Sequence, residues 1–135
     1  MENRSTQERR TILRLKNLTF LLGLGVLAWL PFEDSQEAPA MIFAGLIALL
    51  GAASYLSQPR LVARPAWIYL LSGLAAGLAV APLALLLMGI KNGLHAHTQP
   101  DYTPEQILSV VRSLPVWSLA GLLAGSALAI WRKEA

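Results

Sequence analysis

The sequence contains no cysteine. This absence excludes disulfide bonds, thiol nucleophiles, thiolate-bound zinc and iron–sulfur clusters. Charged residues are also scarce, because they make up 14% of the 135 residues, against about 25% in soluble domains, whereas 55% are hydrophobic. A water-soluble fold of this size needs more polar surface than these residues supply. We therefore expect a single integral membrane domain spanning residues 1–135, with the lipid bilayer as its main contact.

Several functional motifs are absent as well. The sequence has no phosphate-binding glycine loop and no serine nucleophile motif, and the long apolar runs contain no Asp, Glu, Lys or Arg. Ion and proton pathways through membranes are usually marked by such residues. We therefore predict a protein that is not an enzyme or a proton pump and has no resident cofactor. The charged residues, which give a net charge of +3, lie at the ends of the apolar runs. This placement indicates a membrane rather than a nucleic-acid partner.

Four apolar runs dominate the sequence and predict the fold class, an all-α membrane protein formed by a four-transmembrane-helix bundle. The spans are expected at roughly residues 14–31, 40–57, 66–90 and 115–131. Pro82 lies inside the third run. Because a proline removes one hydrogen bond from the helix, it predicts a kink there.

A shorter helix is predicted at residues 103–114, before the fourth span. Thr103, Pro104 and Gln106 match an N-cap, the first helical position and the partner residue of a capping box. The apolar residues that follow recur at helical spacing, at Ile107, Val110, Val111 and Leu114. Such a helix is too short to span a bilayer, so we expect it to lie along the membrane interface as a short amphipathic helix.

The positive charges predict the topology. Five Lys and Arg residues lie in the N-terminal tail, two in the second connector and two in the C-terminal tail, which is nine of the eleven. The positive-inside rule then places both termini in the cytoplasm, in a bacterial inner (plasma) membrane or a thylakoid-like membrane. Each tryptophan lies at the end of a predicted span, as interface anchors do: Trp29, Trp67, Trp117 and Trp131.

The N-terminus has a second interpretation. The segment Glu8–Arg14 before an apolar run resembles a twin-arginine signal, and Ala38–Ala40 offers small residues for cleavage. The connector is long and acidic and a second span follows at once, so we expect the first span to be retained.

The polar stretch 91–106 holds both histidines and the main candidates for chemistry. His95, His97, Asp101 and Glu105 carry ligand types that zinc or copper accepts, and in an extended chain the two imidazoles would point to one side. Two simpler interpretations stay open: histidines that contact water or backbone, and a pH-sensing outer loop. A hydrolase or transferase assembled from these four residues and Lys91 is a further alternative, which would need them to converge in space.

Two glycine pairs, Gly73 with Gly77 and Gly121 with Gly125, have the spacing that lets membrane helices approach closely. They serve either packing within one subunit or the binding of a partner helix. Taken together, the sequence predicts a small non-catalytic membrane protein, an accessory subunit or assembly factor whose partners are lipid and other membrane subunits or further copies of itself. The alternatives are a small channel or carrier for a neutral solute and a protein with a metal-binding or pH-sensing outer loop.

Overall fold

A computed structural model describes residues 4–32, 35–58, 65–95 and 101–134. Every element within these ranges is a helix. The helices are α1 (Arg4–Trp29), α2 (Glu37–Leu56), α3 (Ala66–His95), α4 (Pro104–Arg112) and α5 (Leu114–Glu134).

Four helical segments in the described part of the chain are long and apolar enough to cross a membrane: Arg9–Trp29, Glu37–Leu56, Ala66–His95 and Pro104–Trp131. The all-helical fold and the number of candidate spans therefore agree with the sequence analysis, and they are consistent with an integral membrane protein. The helices are longer than the predicted spans, because polar residues extend them beyond the apolar runs. The helix α2, for example, begins at Glu37 and includes Pro39 in its first turn, where a proline costs no internal hydrogen bond.

The helix α3 runs five residues past the predicted end of the third span at Ile90. Its 30 residues correspond to about 45 Å, which exceeds the roughly 30 Å of a hydrocarbon core. Lys91 therefore belongs to a helix, and it is fully buried. The first five residues of the polar stretch 91–106 are therefore helical, because the end of the apolar run is not the end of the helix. Pro82 lies inside α3, which continues through it. The kink stays a prediction.

The predicted capping box at the start of α4 is confirmed, with Thr103 accepting from the Gln106 backbone and the Gln106 side chain accepting from the Thr103 backbone. Only Ser113 separates α4 from α5. Its backbone is still right-handed, and the Trp117 N–H donates to the Ser113 carbonyl at 3.1 Å. Proline lacks the N–H that residue 115 would donate to Val111, which accounts for an interruption of this size. The two helices thus form one nearly continuous segment, and an interfacial position of α4 stays a prediction.

The long helices do not pack as a closed bundle. In the described ranges, α3 packs extensively against α2 and α5, whereas α1 packs mainly against α2. Neighbours run antiparallel: Lys16 and Ser57 line one groove, and Leu56 and Tyr69 line another. The helices therefore lie side by side in an open row, α1–α2–α3–α5. Because neighbours alternate in direction, the start of α1 and the end of α5 lie at the same end of the helices. The core of this row is built mainly from small and aliphatic residues of α2 and α3.

The contact between α3 and α5 brings the two glycine pairs together. A Cβ atom added at Gly73 would collide with the carbonyl oxygen of Gly121, and one added at Gly121 would collide with that of Gly73. A Cβ on Gly77 would meet the Trp117 carbonyl, and one on Gly125 the Tyr69 carbonyl. Because the backbones approach this closely, no larger residue fits at these four positions without moving a helix.

We predict that Gly73→Ala lowers the free energy of unfolding by about 1–3 kcal/mol, since the new methyl group must push two backbones apart. The measurement is unfolding of the purified protein in mixed detergent micelles. The matched control is Gly89→Ala on the same helix, where an added Cβ has nothing within 4 Å. Equal stability of the two variants would contradict the close packing of α3 on α5.

Candidate functional site

A buried cation lies where α1, α3 and the start of α4 meet. The Nζ atom of Lys91 is 4.4 Å from the ring centroid of Trp29 and 6.0 Å from that of Tyr102. Lys91 and Tyr102 are 0% and 1% exposed. A desolvated ammonium over aromatic rings gains about 2 kcal/mol, and the C-terminal end of a helix favours positive charge. These interactions offset part of the cost of burying Lys91.

The four tryptophans differ in their surroundings. Trp67 and Trp131 are exposed, as interface anchors would be, and Trp117 is half-buried against the core. Trp29 is only 8% exposed within the protein: its ring packs on Phe43, with 5.4 Å between ring centroids, and Lys91 lies over it. The role of the four tryptophans as interface anchors stays a prediction.

His95, the last residue of α3, contacts the segment that leads into α4. Its Nδ1 atom lies 2.7 Å from the Asp101 carboxylate, and the backbone N–H of Asp101 donates to the Asn92 side chain at 3.0 Å. Both members of the pair are largely buried, with side chains 12% and 17% exposed. This geometry fixes the start of α4 to the last turn of α3.

The predicted metal site lies only partly within the described residues. His95 is the last residue of a helix rather than part of an extended segment, and His97 lies outside the described residues. Within the described ranges, no three His, Asp or Glu side chains come together as a metal site would require. His95 and Asp101 could supply two ligands, whereas Glu105 does not join them. A zinc or copper site stays a prediction that depends on His97.

A second link holds α4 against the start of α2. The Gln106 side-chain amide donates to the Ser35 carbonyl and, at 3.2 Å, to the Glu37 carboxylate. The Ser109 hydroxyl donates to the same carboxylate at 3.1 Å. Since the Gln106 carbonyl oxygen also serves the capping box, this one side chain joins the start of α4 to α2.

We name Trp29, Lys91, His95, Asp101 and Tyr102 the polar end cluster. Lys91 is fully buried against the rings of Trp29 and Tyr102, and His95 pairs with Asp101. The cluster can hold three helices together and present a small polar surface at one end of the row.

The sequence contained one signal for this cluster. The buried positions of α3 include Val80, Ala84, Leu87 and Lys91, which follow helical spacing. Lys91 thus continues the buried stripe, and the periodicity alone could have identified it. No such signal exists for the contact of Gln106 with Glu37, which depends on how two distant helix starts are juxtaposed.

No family model matches this chain, and no curated protein or solved structure is detectably similar to it.

We predict that His95 and Asp101 are energetically coupled. In a double-mutant cycle of His95→Ala and Asp101→Ala, the coupling free energy should be about 1 kcal/mol, the net value of one largely buried hydrogen bond. Unfolding in mixed micelles gives the four free energies. The control cycle pairs His95→Ala with Glu105→Ala, whose carboxylate is exposed and outside the pair, and it should show almost no coupling. Similar values in the two cycles would mean that the pair does not form.

Proposed function

We propose that this chain is a small non-catalytic integral membrane protein that acts as an accessory subunit or assembly factor by binding a helix of another membrane protein. The observation that supports this proposal is the groove left between α2 and α5. Both helices pack on α3, and the Trp117 ring of α5 lies against Gly45 of α2. A groove of about 450 Å³ runs between the two helices.

The groove has the chemistry of a helix-binding surface. The described part of its lining contains no Asp, Glu, Lys, Arg or His, and much of it is Gly or Ala: Gly45, Ala48, Ala52, Ala76, Ala120 and Ala124. In lipid, small residues favour helix association because they let backbones approach and make many van der Waals contacts. The occupant we propose is therefore one apolar helix of a partner subunit, lying along α2 and α5.

The location we propose is a bacterial inner membrane or a thylakoid-like membrane, with both termini in the cytoplasm. The support comes from the distribution of charge. The helix end at which α1 begins and α5 ends carries Arg9, Arg10, Arg14 and Lys16. The opposite end of the helices carries Glu37, Asp101 and Glu105. This asymmetry is the one that the positive-inside rule associates with a cytoplasmic end.

We predict that Ala124→Trp, which fills the groove, reduces the amount of partner that co-purifies by about tenfold, equivalent to about 1.4 kcal/mol of binding free energy. The measurement is the stoichiometry of subunits extracted from native membranes in mild detergent. The matched control is Ala127→Trp, an exposed alanine on the same helix that does not line the groove. A homo-oligomer that transports a neutral solute into liposomes, with no stoichiometric partner, would support the carrier alternative instead.

We also predict that alkaline phosphatase fused after Ala135 is inactive and that green fluorescent protein fused there is fluorescent, since both report a cytoplasmic C-terminus. Alkaline phosphatase fused after Phe32, at the opposite end of α1, should be active. The reverse pattern would overturn the proposed topology, although it would leave the partner-binding groove in place.

A further inference from the structure

We infer that a second groove binds the phosphate-bearing headgroup of an anionic phospholipid. This groove lies between α1 and α2, at the end of the helices where α1 begins. It measures about 510 Å³. Its lining residues include Lys16, Ser57 and Gln58, whose side chains carry an ammonium, a hydroxyl and an amide. An ammonium, a hydroxyl and an amide are suitable donors to the oxygens of a phosphodiester.

Apolar side chains lie on both sides of Lys16 in this groove. Ile12 and Leu15, which precede it, are half-buried along α1, and Phe20, one turn after it, is 67% exposed. Thr19 and Ser54 also line the groove, and the Thr19 hydroxyl donates to the Leu15 carbonyl of its own helix. The distance along α1 from Lys16 to Phe20 is about 6 Å, at 1.5 Å per residue, so a phosphate held at Lys16 brings the first part of an acyl chain alongside Phe20.

Charge complementarity favours an anionic lipid over a neutral one. Arg9, Arg10 and Arg14 precede Lys16 within two turns of the same helix, and no acidic side chain lines the described part of the groove. Basic residues next to a membrane-spanning helix concentrate anionic lipid at the surface. The opposite end of the row, with Glu37 and Glu105, lacks this concentration of positive charge.

The apolar part favours a lipid over a free anion. Inorganic phosphate would contact only the polar lining and would leave Leu15 and Phe20 without a partner. A phospholipid covers both parts, because its chain buries the apolar surface while its phosphate is held at Lys16. This site is separate from the α2–α5 groove, so it does not depend on the proposed partner helix.

The test is native mass spectrometry of the full chain, released from micelles that contain equal amounts of phosphatidylglycerol and phosphatidylcholine. We expect phosphatidylglycerol adducts to exceed phosphatidylcholine adducts. Lys16→Gln should reduce that preference about fivefold, which corresponds to one basic residue near a membrane surface. Lys16→Arg should retain the preference. Arg112→Gln, which removes one exposed positive charge from α4, should retain it too.

Three results would overturn the inference. Equal binding of the two lipids by the parent protein would exclude a site for anionic headgroups. An equal loss in Lys16→Gln and Arg112→Gln would show that net charge rather than the groove selects the lipid. Displacement of phosphatidylglycerol by millimolar inorganic phosphate would mean that the polar lining alone binds the anion.

Discussion

The close approach of α3 and α5 is the contact on which the rest of this architecture depends. Membrane helices gain little from excluding lipid, so their association relies on van der Waals packing, and the four glycines bring the two backbones together. With α5 held on one side of α3 and α2 on the other, α3 becomes the centre of the row. The same arrangement leaves, between α2 and α5, the groove that we propose for a partner helix.

The polar end cluster complements that contact at the opposite end of α3. Lys91 is costly to bury, yet it lies between two aromatic rings contributed by different parts of the chain. Trp29 ends α1 and Tyr102 precedes α4, so the lysine connects elements that otherwise have few contacts. Small residues hold α3 against α5 because their shapes allow close packing. At the other end of α3, the helix ends are held together by a charge and by hydrogen bonds.

Composition and hydrophobic periodicity predicted the all-helical fold, the four candidate spans and the Thr103 capping box, because lipid imposes length and apolarity on each span. The same criteria failed at Lys91, since they detect where apolar residues stop and not where backbone hydrogen bonding stops. The burial of Trp29 against Phe43 and Lys91 depends on contacts between distant parts of the chain, which its position at the end of an apolar run does not reveal. The contacts of Gln106 with Glu37 depend on tertiary juxtaposition, which a single sequence does not encode in any local pattern. The site involving His97 lies outside the described residues, and its chemistry stays a prediction.

The single-residue interruption at Ser113 has a mechanical consequence. A flexible linker there would leave the direction of α4 independent of α5. Instead Ser113 is right-handed, its N–H donates to the Ser109 carbonyl and its carbonyl accepts from the Trp117 N–H, so α4 follows the direction of α5. The place of α5 beside α3 and the contact of Gln106 with Glu37 on α2 are therefore set together by one residue.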